Sequence, residues 1–373
     1  MTGTPRRTLE RGAPRSEICA DEAEFARLAA PWGRLYRRCG AATPFQCHAW
    51  LHSWWLSYGR PGALRLVLVR EGGELRAAAP LMLVRGPLPT LVPLGGAVSD
   101  YADVLIDDEH ADRAAAALTE GLAAAARTAL IDLRETRPGA AAERVYERWR
   151  GPRRKVADSV CLELPAGTLE ELLARLPPGR AQRVRSRIRK LDALGVEHRA
   201  VRRPEEVEAA LRTMLDLHRL QWQGRGVTAE HLRPRFREHL VRSVVPMTRT
   251  GDALVTEFLL DGEVTAVDVT LLSRRVAGGY LFGAHPRLRE RKADIATMLL
   301  HASAGQLGGG GQEVLSLLRG TEAYKSRWRP DTVVNQRLLL ARRRTAPLLS
   351  AVLCGAAVRD RGKELLRQRL NGQ

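Results

Sequence analysis

Lysine is scarce in this 373-residue chain, standing only at positions 155, 190, 292, 325 and 363, so arginine supplies 55 of the 60 positive charges. Cysteine is scarce too: Cys19, Cys39, Cys47, Cys161 and Cys354 are scattered and form no CxxC pair. That excludes both a zinc site built on paired cysteines and a disulfide framework. His48 and His52 stand at i, i+4 with no third ligand near in sequence, so no metal site is expected. Aromatic residues make up only 5% of the chain. No apolar run reaches the roughly 20 residues needed to span a bilayer; the longest near the C-terminus, 346–358, is too short. The stretch Met1–Glu17 is polar and Arg-rich, without the apolar core of a signal peptide. A cytoplasmic protein without a membrane span is the expectation. What is present is 45% apolar and 27% charged residues, enough for a folded core and against a disordered chain. The length suggests two domains. A net charge of +18 points to a nucleic acid, a phosphorylated cofactor, an acidic carrier protein or a membrane surface, although GC-rich coding also favours arginine.

Residues 1–20 read as a disordered start. Apolar residues at helical spacing over Asp21–Arg38 predict a helix, and Pro44–Tyr58, with Trp50, Trp54 and Trp55, another. Leu64–Val69 and Leu75–Val84, split by Gly72-Gly73, read as a β-hairpin. An extended stretch over Ala97–Ile106, a helix over Asp112–Arg127, a strand over Ala129–Arg134 and a helix over Ala140–Trp149 follow. The polar stretch Arg150–Asp158 is the expected domain boundary, giving a first unit over 21–157 and a second over 158–345, then a C-terminal helix over 346–373. The second half repeats the order: a strand over Ser159–Leu164, helices over Arg180–Leu194 and Glu205–Trp222, and a meander of three strands between Leu254 and Phe282. A helix over Asp294–Leu307 and strands over Val314–Leu318 and Val333–Ala341 complete it. Two α/β units with mixed sheets are predicted.

Three patterns carry a resemblance: Pro44-Phe45 through Trp50, Trp54 and Trp55; Ser99-Asp100-Tyr101-Ala102-Asp103; and Arg319 through Trp328, which contains Tyr324-Lys325. With the order of elements, the chain over residues 40–342 resembles the acetyltransferase-like family associated with bacterial cellulose biosynthesis, related to the Fem-type aminoacyl ligases. The resemblance implies an α/β (α+β) fold of two tandem GNAT-like units, the second carrying the active site, and acyl transfer to an amine. Coenzyme A-binding members cradle the pyrophosphate in a Gly-rich loop at a helix N-terminus. The matching stretch here, Arg287–Thr297, has no glycine, which leaves Arg289, Arg291, Lys292 and Thr297, with Arg327, as candidate donor-binding residues.

Lys325 resembles the lysine of the Fem-type aromatic–Lys motif, where an ammonium steadies an oxyanion or orients a donor carbonyl. Asp100 and Asp103 flank Tyr101 and can attract a protonated amine and accept its proton. Asp268, alternating with apolar neighbours, and His285, after the last meander strand, are further base candidates. Tyr101, Trp222, Arg225, Tyr280 and Tyr324 are candidate substrate contacts. Residues 180–203 hold nine cations against two acids around an apolar stripe of Val184, Ile188 and Leu191. Such a helix docks on a core and presents Arg183, Arg187 and Lys190 to a partner. The expected activity is N-acyl transfer by direct attack. The donor is a phosphopantetheine thioester on an acidic acyl carrier protein or on CoA, used as co-substrate, with no tightly bound cofactor and an amine-bearing acceptor. The alternatives are a Fem-type aminoacyl-tRNA-dependent ligase and a non-catalytic RNA- or carrier-binding module.

Overall fold

Gly72 and Gly73 both take positive φ (58° and 81°), conformations a side chain disfavours, and this two-residue turn reverses the chain where the hairpin is expected. The computed structural model describes residues 12–222, 228–307 and 310–354. Its first half runs β1 (Arg15–Cys19), α1 (Glu22–Arg27), α2 (Ala29–Arg38), α3 (His48–Tyr58), β2 (Leu64–Glu71), β3 (Glu74–Val84), β4 (Thr90–Pro93), β5 (Leu105–Ile106), α4 (Ala111–Ala125), β6 (Leu130–Thr136) and α5 (Ala141–Arg148). The second runs β7 (Arg153–Pro165), α6 (Leu169–Ala174), α7 (Pro178–Ala193), β8 (Glu197–Val201), α8 (Pro204–Trp222), α9 (Pro234–Thr250), β9 (Ala253–Leu260), β10 (Glu263–Leu272) and β11 (Val276–Ala284). It ends with α10 (Pro286–Glu290), α11 (Ile295–Leu307), β12 (Val314–Arg319) and β13 (Asp331–Leu340).

One mixed sheet runs through both halves in the order β1-β2-β3-β4-β6-β13-β7-β12-β11-β10-β9-β8, with β5 on β3. Each half repeats one plan. Three antiparallel strands (β2-β3-β4; β9-β10-β11) are followed by a helix (α4; α11). A strand parallel to the third (β6 on β4; β12 on β11) then closes the unit. The chain's last strand, β13, lies antiparallel between β6 of the first half and β7 of the second, which makes the sheet continuous. Side chains tie the halves as well. Trp50 on α3 packs edge-on against Tyr280 of β11 and His239 of α9, at 5.1 and 4.5 Å between ring centres. The Ser53 hydroxyl donates to the His239 carbonyl at 3.0 Å.

Four expectations change. Arg15–Cys19, inside the stretch read as disordered, pairs with β2 as an edge strand. The single helix over 21–38 is two, because the chain breaks between Arg27 and Ala29 and the Asp21 side chain caps only the first. Ala97–Ile106 is mostly irregular, entered by a 3-10 turn at Gly96–Val98, and only Leu105–Ile106 is strand. The boundary expected at 157/158 falls inside β7: the first residues of that strand are largely exposed while its C-terminal part is buried. A strand with one face in water is polar, so its composition mimics a linker. The C-terminal helix is described over residues 346–354.

Candidate active site

β11 and β12 pair in parallel only at Val276↔Val314, Ala277↔Leu315 and Gly278↔Ser316, and then part. A bulge between Ser316 and Arg319 turns β12 away; within it Leu318 takes a positive φ of 58° and its N–H donates to the Ser316 hydroxyl at 3.1 Å. A leucine in this region is strained, and such strain persists where the surroundings impose it. Leu281 packs into the core that contains α8, and its neighbour Phe282 into the core that contains α11, so the parted strands separate two helical layers.

The gap opens into a cavity on each side. On the α11 side is a small one of about 90 Å³, lined by Asp268, Ser303, Trp328 and apolar residues of α11 and β12. On the α8 side a cavity of about 540 Å³ is lined by Asp100, His218, His231, Tyr280, Arg319 and Glu322. Gly279, Phe282, Leu317, Tyr324 and Lys325 line both, so the two lie back to back across the gap. Lys325 is buried, and its ammonium donates to the carbonyls of Arg319 (2.8 Å) and Gly320 (3.5 Å) and pairs with Glu322 (2.8 Å). Burial first, then the Glu322 charge, push the Tyr324 phenol up to about 12. Asp268 is buried with one hydroxyl partner, Thr270, at 3.0 Å; burial pushes its carboxyl up to about 7.

A third cavity, of about 290 Å³, lies between α7 and the turn after β12, lined by Arg180, Arg183, Arg187, Ser326 and Arg327. Asp294 borders it, pairing with Arg187 (3.2 Å) and Arg327 (2.9 Å). The same carboxylate accepts the Thr297 N–H at 3.0 Å and so caps α11. One N–H at the start of this helix is thus met by the chain's own carboxylate, whose charge sits where the helix dipole would favour a bound anion.

The gap therefore gathers Lys325, Tyr324, Asp268, Tyr280 and Asp100, and the basic mouth gathers Arg183, Arg187 and Arg327. Tyr280 donates its hydroxyl to the Val98 carbonyl at 2.9 Å. Asp100 is held by the Arg319 guanidinium at 2.8 Å, which also reaches Glu135 at 3.3 Å. Other candidates lie elsewhere. Asp103 is buried and accepts the N–H groups of Val104, Ala141 and Ala142 at 2.7–2.8 Å, anchoring the start of α5. Burial raises its carboxyl to about 7 against those three donors. Tyr101 bonds Glu163 (3.0 Å) and Ser316 (2.8 Å), and with Asp103 it lines a separate cavity of about 530 Å³. His285 caps α10, its Nδ1 accepting the Arg287 N–H at 3.1 Å. Arg289 and Lys292 are exposed beside α10, and Arg291 pairs with Asp261 at 3.8 Å; none of the three lines the cavities of the gap or its mouth. Thr297 is buried within α11, and Lys190 is exposed on α7 outside the basic mouth. Arg225 and the Trp222 side chain lie outside the described residues.

Sequence reasoning missed the His218–His231 pair. His218 Nδ1 lies 2.8 Å from the Phe282 carbonyl, so that nitrogen carries the proton and Nε2 accepts from His231 Nδ1 at 3.3 Å. Burial lowers both, His231 to about 4, so both are neutral at pH 7. Residues 13 apart carry no pairing signal in sequence; the 3-10 segment Ala229–Leu232 ahead of α9 sets His231 against α8. Arg319 stood in a quoted motif without a role, and its three-way hold on Asp100, Glu135 and the Ala97 carbonyl is visible only in the fold. Among the described residues one group has spacing for a cation, Asp107, Glu109 and His110, but Asp107 is already paired with Arg38 (3.2 Å) and Arg76 (2.7 Å).

Residues 178–326 match the model of the acetyltransferase (GNAT) domain. Among solved structures, FemX superposes with a TM-score of 0.60 at 11% identity, covering 90% of this chain and 99% of its own. L-PGS from Bacillus licheniformis gives 0.52 at 12%, over 88% and 96%. A conserved protein of unknown function from Bacteroides thetaiotaomicron gives 0.59 at 11%, over 87% and 99%. At these identities the likeness is one of fold, and it extends over both halves. No curated protein matches the chain by sequence. Among the described residues no helix is long and apolar enough to cross a membrane.

Proposed function

We propose that this chain, whose fold is a tandem pair of GNAT-type acyltransferase units, is an N-acyltransferase that moves an acyl group from a thioester donor to an amine. The carrying observation is the gap between β11 and β12, bordered by Lys325 and open to a cavity on each side. A donor arm enters from the α11 side, its phosphate held at the mouth by Arg183, Arg187 and Arg327 through side chains, since Asp294 occupies the start of α11. That favours a phosphopantetheine arm on an acidic carrier protein over free CoA. The acyl carbonyl then lies in the gap, where the Lys325 ammonium offsets the charge that develops on oxygen. The acceptor amine approaches through the larger cavity, where the Asp100 and Glu322 carboxylates, paired with Arg319 and Lys325, offer acceptors for its N–H groups. Attack by the neutral amine forms the new C–N bond and breaks the C–S bond; the amine's proton passes to Asp268 and from it to the departing thiolate, which leaves as thiol. No covalent intermediate on the protein is required.

The decisive experiment offers acyl-CoA, acyl carrier protein thioester and charged tRNA to the protein, with and without ribonuclease. Transfer from the carrier-borne thioester that survives ribonuclease is expected. Ribonuclease-sensitive transfer would replace this reading with that of an aminoacyl-tRNA-dependent ligase, a reading the FemX-like fold and the phosphate-binding mouth also support.

Asp268 makes the activity pH-dependent. Its folded pKa is raised, so the stability tied to its neutral form is full below the ordinary 3.8 and is lost as pH rises through about 7. Its basic form, the carboxylate, appears over the same rise. kcat/KM should climb through pH 7, and the Asp268→Asn variant should lack that limb. A limb that persists in the variant would remove Asp268 from proton acceptance.

A further inference from the structure

A further spacious cavity has no part in that reaction. It measures about 740 Å³ and is lined by Arg127, Arg148, Arg150, Arg342, Arg343 and Arg344, with Glu120 and small residues along α4. It shares no residue with the cavities of the gap or its basic mouth. The six arginines come from three places distant in sequence: the end of α4, the junction of α5 with β7, and the turn after β13.

The backbone beneath them is tightly held. The Trp149 indole N–H donates to the Ala341 carbonyl at 2.8 Å, and a Cβ on Gly151 would fall 2.0 Å from that same oxygen. The segment bearing Arg150 is thereby pressed onto the segment bearing Arg342, and only glycine permits the approach. Thr345 closes the arginine turn: its hydroxyl accepts the Arg342 N–H and its own N–H donates to the Arg342 carbonyl, both at 2.9 Å.

The charge is not balanced locally. Arg148 is matched by Asp112. Glu120 supplies one more negative charge to the lining. The C-terminal ends of α4 and α5 face the cavity and together contribute about one negative charge, used in part by the Arg342 guanidinium on the Ala123 carbonyl at 3.3 Å. Against six guanidiniums this leaves about three positive charges uncompensated. Among the described residues Arg127, Arg150, Arg343 and Arg344 have no carboxylate within ion-pair distance. Trp149 also lines the cavity, but it is buried and its N–H is spent on the Ala341 carbonyl, so its indole offers no donor to a base.

We infer that this cavity is a binding site for a small polyphosphorylated ligand, recognised through two or three linked phosphates and not through a base. The volume suits a ligand of nucleotide size. Guanidiniums meet phosphate oxygens with paired, charge-assisted hydrogen bonds. A separate anion site in the first half means that the chain carries, besides its acyl donor, a phosphate-bearing regulator or second substrate.

Isothermal titration of the full chain with inorganic tripolyphosphate tests this, with ATP in a parallel arm. Binding is expected, weakened at least tenfold in Arg150→Ala/Arg343→Ala and unchanged in Lys190→Ala, which lies outside both basic cavities. Equal affinity for ATP is expected, since phosphate alone is recognised; markedly tighter binding of ATP would overturn recognition without a base. All four residues tested or compared are exposed, so the variants fold, and an unchanged thermal midpoint checks it. No binding, or binding indifferent to the double variant and to Arg344→Glu, overturns the inference. So does a short RNA duplex that binds here and is not displaced by tripolyphosphate.

Discussion

Lys325→Met should lower kcat/KM for acyl transfer by about 100-fold or more, the loss that follows removal of one preorganised oxyanion partner. In barrier terms this is about 2.7 kcal/mol. The fold should barely register the change. Methionine keeps the stem that lies against the gap, Glu322 is half exposed and regains water, and the Arg319 and Gly320 carbonyls lie at a partly exposed turn. A stability loss of about 1 kcal/mol, the net worth of an ordinary hydrogen bond, is the most expected. Steady-state kinetics beside urea unfolding separates the two effects. Activity within twofold of the parent, or an activity loss that follows unfolding, would make Lys325 a clasp for the 319–325 turn and remove it from the chemistry.

The largest effect on stability should come from Gly283→Ala. A Cβ built there would lie 2.1 Å from the Met214 carbonyl oxygen, 2.6 Å from the His218 nitrogen and 2.9 Å from the Leu217 Cβ. Two of these are helix backbone, so no rotamer change relieves the clash and α8 must back away from β11. The retreat would loosen Met214 and Leu211, both fully buried, and cost about 3 kcal/mol or more. It would also pull His218 from the Phe282 carbonyl and so disturb the cleft. Gly279→Ala, where a Cβ meets nothing within 4 Å, is the control. Equal urea midpoints for the two variants would contradict the close approach of α8 to β11.

Most of the elements were legible because their signals are local. The Gly72-Gly73 turn, the apolar stripe Val184–Ile188–Leu191 on α7 and the three meander strands each repeat at the period of their own structure. Elements missed were short or polar: α6 and α10 have six and five residues, and the exposed start of β7 reads as linker. The site was legible in part. Lys325 stood out because lysine is rare in this chain, and it lines the gap beside Asp268 and Tyr324. Asp103 offered the same carboxylate in sequence, yet the fold commits it to three N–H groups at the start of α5.

By itself the sequence determined that the chain folds as two α/β units of one plan, with an arginine excess concentrated on α7 and after β11. Periodicity and composition suffice for that, since both are properties of neighbouring residues. Tertiary structure alone decided which charges face each other. It matched Arg187 and Arg327 to Asp294, neutralised Asp100 with Arg319, paired His218 with His231, and gathered six arginines from three distant segments around one cavity. Coulomb interactions act through space at a few ångströms, and that distance is set by how the strands and helices pack, not by position along the chain.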